Sequence, residues 1–325
     1  MGMRKLVASI GVLWNASRPL TAAGLGMLVV LVASLAAMVI DPRVVTGAPA
    51  WLKPAKFALS TAIYALTLAW LFTYLPARLR LTRLVGWGTT LILILEVALI
   101  DMQAARGVTS HFNVATAFDA IVFSVMGAAI VFAWALAIAL AVALFRQTFA
   151  DPAMGWAIRL GTLLTVLGSG MGGLMTRPTG DQLATARATR VMATAGAHTV
   201  GAADGGPGLP GTGWSREHGD LRVPHFLGLH AVQIIPLVTL LVGGRVASAA
   251  RRRRAALVVA ASYAMLFVIL LAQALGGEPV ILPGPPTLAA LATWAAATAA
   301  GLVFVLAPGR RNGSAARSKQ GLSVV

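Results

Sequence analysis

A chain of 325 residues that is 58% hydrophobic, only 11% charged and has a mean hydropathy of +0.81 is too apolar for a water-soluble fold, whose charged share is about a quarter. Its formal net charge is +16, yet no aromatic or glycine-rich RNA signature accompanies the basic residues, so the lipid bilayer and not nucleic acid is the expected partner. Cysteine is absent, which excludes disulfides, thiol nucleophiles, iron–sulfur clusters and covalently attached haem.

Largely apolar stretches of about 20 residues, the length that crosses a hydrocarbon core as helix, occur at 20–40, 55–75, 84–104, 119–145, 155–176, 223–243, 255–276 and 286–307. They predict an all-α fold, a polytopic transmembrane helix bundle of about eight spans. The chain then divides into an interfacial N-terminus at 1–19, five helices at 20–176, a long connection at 177–222, three helices at 223–308 and a basic tail at 309–325. With a cytoplasmic N-terminus, the inner segments collect Arg4, Lys5, Arg18, Arg78, Arg80, Arg83, Arg146, Arg159, Arg245, the run at 251–254, Arg310, Arg311, Arg317 and Lys319, opposed only by Asp151. The outer segments carry both signs in near balance. The positive-inside rule therefore puts both termini in the cytoplasm, and Ala-, Gly- and Arg-rich usage points to a bacterial cell membrane.

In chain order, the short apolar patch at 6–14 precedes Arg18 and a full-length span without a cleavage site, which predicts an interfacial segment and an uncleaved first helix. Pro54 suits the first turn of the second helix, with Trp51, Lys53 and Lys56 as headgroup anchors. The third helix holds the one deep acid, Glu96. Gln103 follows on the same face and Arg106 three residues beyond, so a polar stripe climbs towards the outer surface. A central charge costs about 2.5–3.5 kcal/mol to insert, which the surrounding Leu and Ile offset while leaving a purpose to be found. His111 and Asn113 fall in the next turn, ahead of a capping pattern from Thr116 to Asp119. Helix five carries Gly161, Thr165, Gly168, Ser169, Gly172 and Thr176 at helical spacing, a face that lets another backbone approach closely.

The first part of the long connection, DQLATARATRVMATA, predicts an amphipathic helix lying on the surface. Asp204, Gly205 and Gly206 before Pro207 predict a tight turn, and Trp214 beside Gly213 predicts docking. The glycines lack the preceding strand and GK[ST] of a phosphate loop. In helix six, Pro224 fits the first turn, and His230 lies about 7.5 Å deeper than His225 and about 140° around the helix, so the two cannot chelate one metal by themselves. His230 and Gln233 share a face, and Pro236 predicts a kink that loosens the backbone near Val232. All five histidines fall on the outer half. The last two helices add little beyond Ser262, Tyr263 and Gln273, and no internal repeat supports an inverted-repeat transporter.

The blocks WLKPAKFALS, QAARG followed by SHFN, and DGGPGLPGTGWS followed by GDLRVPHFLGLHA resemble an uncharacterised family of bacterial, largely actinobacterial, multipass membrane proteins. The resemblance implies no activity. Arg106, His111, Asp204, Trp214, Asp220, Arg222, His225 and His230 lie within those blocks.

Several classes fit the pattern. A protein that binds or transports a small-molecule ligand would use Glu96, Gln103, Arg106 and His230 as a polar path, with Asp204, Trp214, Asp220, Arg222 and Gln233 as further contacts. A haem-b or divalent-metal protein would take His111 with His225 or His230 as ligands. A membrane hydrolase would set the same histidines with Asp220 or Asp119 around a metal-activated water. A structural or partner-binding protein would need none of these groups.

Overall fold

The computed structural model describes residues 3–76, 80–246 and 248–307. The basic tail at 309–325, Arg78 and the Arg4 side chain lie outside the described residues.

A first helix, α1 (Met3–Ala16), runs through Ser17 into α2 (Arg18–Ile40), where Pro19 occupies a first-turn position that needs no N–H partner. A hairpin of β1 (Val44–Val45) and β2 (Ala48–Pro49) follows; Thr46 at φ 48° and Gly47 at φ 75° supply the two left-handed positions a tight hairpin turn requires. Then come α3 (Leu52–Phe72), α4 (Arg80–Arg106), α5 (Ala117–Arg146) and α6 (Pro152–Gly170). Thr116 and Asp151 cap α5 and α6, accepting from the N–H groups of Asp119 and Ala153 at 3.1 and 2.9 Å. The long connection contains α7 (Gly172–Met175), α8 (Gly180–Thr189) and the paired β3 (Thr199–Val200) and β4 (Gly219–Asp220). The chain ends in α9 (Arg222–Leu229), α10 (Ala231–Gly243), α11 (Ala249–Leu275) and α12 (Pro285–Leu306).

Among the described residues, seven helices are long and apolar enough to cross a membrane, or eight if α9 and α10, bent by 55°, count as one span. Their flanks are what lipid demands: Val39 is 88% exposed, Val29 70% and Phe304 69%. α12 packs mainly on α11, held by Trp294 Nε1–H donating to the Ser262 carbonyl at 2.8 Å, with Val305 also reaching Val242 and Val246 at the end of α10. Inside, one core gathers Leu20, Leu71, Leu140, Leu144 and Ile158, and a second gathers Ala157, Ala231, Ile235 and Ala256 around α6.

The small face of α6 packs as its spacing predicts. A Cβ on Gly168 would lie 2.5 Å from the Gly228 Cα, and one on Gly161 2.9 Å from the Ala231 carbonyl. Between these glycines, the Thr165 hydroxyl donates to the Leu229 carbonyl and accepts from the Val232 N–H, both at 3.2 Å. A side chain from another helix thus enters the hydrogen-bond ladder and breaks it. The bend falls at His230, two residues before Val232, where the sequence pattern has Pro236 loosening the backbone; Pro236 itself sits inside α10. α8 also departs from expectation. Its capping box of Thr179 and Gln182 is in place, but its apolar residues, Leu183 and the alanines, gather on no one face, so it is not amphipathic.

Candidate functional site

The helices present two unlike ends. At the basic end α2, α4, α6 and α11 begin; at the loop end α3, α5, α9 and α12 begin, and the long connection folds over them. That connection is hydrogen-bonded to the 107–116 turn, with Val114 N–H donating to the Ala193 carbonyl and Ala195 N–H to that of Phe112, and it folds back on α7 through Ala197 N–H donating to the Met175 carbonyl. Gly196, at φ 119°, is required there, since a Cβ would stand 2.4 Å from the Met175 carbonyl and 2.7 Å from the Phe112 ring. Phe112 itself is a buried, non-glycine residue at φ 63°, a conformation that persists only where the surroundings enforce it. Its ring lies against His111 on one side, at 6.2 Å between centroids, and against His198 on the other, at 4.8 Å.

The chemistry of each partner assigns the histidine tautomers. His198 Nδ1 is 2.6 Å from Asp204 Oδ2, and a carboxylate only accepts, so Nδ1–H donates and Nε2 keeps its lone pair. His225 Nδ1 donates in the same way to the Gly168 carbonyl at 2.7 Å. His111 is the reverse: the Lys53 ammonium lies 3.1 Å from its Nδ1 and can only donate, so the ring proton sits on Nε2. Ser110 Oγ shares that Nδ1 at 3.1 Å. Burial, the Lys53 charge and the neighbouring His198 and His225 hold His111 well below the usual imidazole range. Burial lowers His198 too, against the pull of Asp204. Burial alone would raise Asp204, but the His198 contact and the His198 and Thr199 backbone N–H groups outweigh it and keep the carboxyl well below its ordinary value.

Lys53 and Lys56, expected at the headgroups, are therefore engaged by the protein. Lys53 is half-buried against His111, and Lys56 Nζ donates to the Thr212 carbonyl at 2.9 Å, tying α3 to the connection. Trp51 Nε1–H likewise donates to Asp41 at 2.8 Å. Nearby, the buried Asp220 carboxylate accepts from Arg222 and from Ser215 N–H at 2.8 Å, while Arg222 also donates to the Gly213 carbonyl. Trp214 docks edge-on to Phe226 at 5.7 Å, and Phe226 lies 4.3 Å from the His230 ring.

The expected polar stripe is divided. Fully buried Gln103 donates to Asp119 at 2.9 Å, and Arg106 donates to both Asp119 and Gln103, a knot that joins the end of α4 to the start of α5. Glu96 does not take part; it is 4% exposed and its Oε1 has no hydrogen-bond partner. Gln233 donates to the Thr67 hydroxyl at 3.2 Å and leaves its own Oε1 unpartnered. His230, in the aromatic stack, and His111, against Lys53, thus have separate partners. Among the described residues no group of three or more His, Asp or Glu side chains is placed to hold one metal ion. Sequence reasoning passed over His198 and treated Lys53 as an anchor; the tight turn at Asp204 was the available signal for the first, because that turn is what the His198 contact closes.

Comparison with protein-family models, with curated proteins and with solved structures returns no match for this chain. The chemistry of the site rests on its own geometry.

Proposed function

We propose that the chain is an eight-span protein of the cell membrane with both termini cytoplasmic, and that its extracytoplasmic loop end binds a small organic anion, with transport as the wider activity. The observation that carries the reading is Lys53: a half-buried ammonium whose hydrogen-bonded neighbour is an imidazole and not a carboxylate. A half-buried cation with no carboxylate in hydrogen-bond contact is costly, and an incoming carboxylate reduces that cost. His111 Nε2–H can donate to the same anion, and the Nε2 lone pairs of His198 and His225 suit a hydroxyl on the ligand. Glu96, about 15 Å below Arg106 along α4, is the group available to carry a proton inward.

The test is thermal stability in nanodiscs across a panel of small carboxylates and hydroxycarboxylates, for the wild type, Lys53→Met and Lys53→Arg. A ligand at 100 times its dissociation constant should stabilise the wild type by about 2.7 kcal/mol and Lys53→Met hardly at all. An undiminished response in Lys53→Met would contradict the reading. So would about one equivalent of iron, copper or zinc that is lost on His225→Ala, which would make this a cofactor protein.

A further inference from the structure

At the basic end, the first turns of α2 and α4 face a cavity of about 820 Å³ lined by Ser17, Arg18, Arg80, Arg83 and Trp87, among others. Three guanidinium groups thus stand at the starts of two long helices, where unsatisfied N–H groups already present partial positive charge and where helices ordinarily place acids. Among the described residues, none of the three arginines has an ion pair or a hydrogen bond. The arrangement is unfavourable as it stands and becomes favourable once an anion enters.

A second observation points the same way. Ser17 is the N-cap of α2, is only 8% exposed and lines the cavity, yet its hydroxyl makes no cap hydrogen bond and has no other partner among the described residues. On a residue otherwise buried, a hydroxyl that reaches the cavity and has no protein partner is free to donate to a ligand there. Gly86 keeps that wall open, since a Cβ there would stand 3.3 Å from Ser17 Oγ. Beside the cavity, Trp87 and Leu84 are 54% and 57% exposed, an apolar shoulder of the kind that lies at the boundary between headgroups and acyl chains.

We infer that this cavity is a binding site for a phosphoryl group, held by Arg18, Arg80 and Arg83 with the Ser17 hydroxyl as a further donor, and distinct from the loop-end site. Guanidinium forks match phosphate oxygens in pairs, and a helix start supplies backbone N–H groups to the same oxygens. The group can arrive on a phospholipid or on a soluble phosphate ester.

Native mass spectrometry of the full chain, released from detergent with equal phosphatidylglycerol and phosphatidylcholine, separates these sources and tests the site. The wild type should retain one phosphatidylglycerol in preference to phosphatidylcholine. At about fivefold per arginine near a membrane surface, Arg80→Gln with Arg83→Gln should reduce that preference roughly 25-fold. Ser17→Ala should reduce it less, whereas Arg146→Gln with Arg254→Gln, the same charge change on exposed arginines elsewhere at this end, should leave it intact. Retention of glycerol 3-phosphate or inorganic phosphate without lipid, lost in the same double variant, would keep the site and make its ligand soluble. Equal loss in both double variants, or no anionic preference in any arm, would overturn the inference. Unchanged melting of the double variants in neutral detergent shows that loss of binding is not loss of fold.

Discussion

The two ends of the bundle handle charge in opposite ways. At the loop end four acids are met by a cation or an imidazole, Asp41 by Arg43, Asp119 by Arg106, Asp204 by His198 and Asp220 by Arg222, each at 2.6 Å. At the basic end Arg159 donates to the Leu144 and Gln147 carbonyls, and among the described residues Arg18, Arg80 and Arg83 have no ion pair or hydrogen bond. The first end uses these charges to tie its loops and helix ends together; the second presents Arg18, Arg80 and Arg83 on the wall of a cavity. Lys53 is informative because it breaks the first pattern, standing among paired charges without an acid of its own.

The comparison predicts where substitutions hurt. Asp220→Ala should have the largest effect, about 3 kcal/mol of destabilisation by thermal or denaturant melting, because it removes a fully buried carboxylate that organises Ser215 and Arg222; partial water access to Arg222 keeps the loss at the low end of the buried-pair range. Thr165→Val, at the waist between the ends, keeps volume but strands the Leu229 carbonyl and the Val232 N–H, for about 2 kcal/mol. Acidification should act on the loop end alone. His111 and His198 are depressed in the folded chain, so the unfolded chain binds protons first: their contribution is complete above about pH 6.5 and declines below it by up to about 1.4 kcal/mol per pH unit per group, until the folded pKa is reached. Melting curves from pH 8 to 5 should fall accordingly, and their slope should shrink in His111→Gln. Smallest is Arg83→Gln. In neutral detergent it should change stability by no more than about 0.5 kcal/mol, in the stabilising direction, because it takes a positive charge away from a helix start. A clear loss there would mean that the arginine has an internal partner, and the contrast between the ends would fail.

Much of the architecture is legible in the sequence because lipid imposes a simple rule: the apolar stretches at 20–40 and 286–307 match α2 and α12 closely, and Thr116 caps α5 as its spacing predicts. Interactions between distant segments are not legible in this way. Lys53 in a helix start of the form WLKP reads as a headgroup anchor whether or not an imidazole waits nearby, and His111 meets that lysine only because the hairpin and the 107–116 turn fold to the same end. Pro236 puts the bend close to its place at His230, but the Thr165 hydroxyl that occupies the Leu229 and Val232 backbone groups lies on another helix and leaves no mark in the spacing. Gln103 and Arg106 look like a path from their spacing; the side chain that consumes them, Asp119, belongs to the next helix.

The central claim is that burial and the Lys53 charge together hold His111 neutral in the proposed loop-end site, and nitrogen-15 NMR of histidine-labelled protein in nanodiscs tests it most directly, with His111→Gln to assign the signal. The account predicts that His111 stays neutral with its proton on Nε2 as the pH falls from 8 to 5, and that Lys53→Met moves its titration up towards the ordinary range. A wild-type His111 that titrates near 6.5 and ignores Lys53→Met would contradict it.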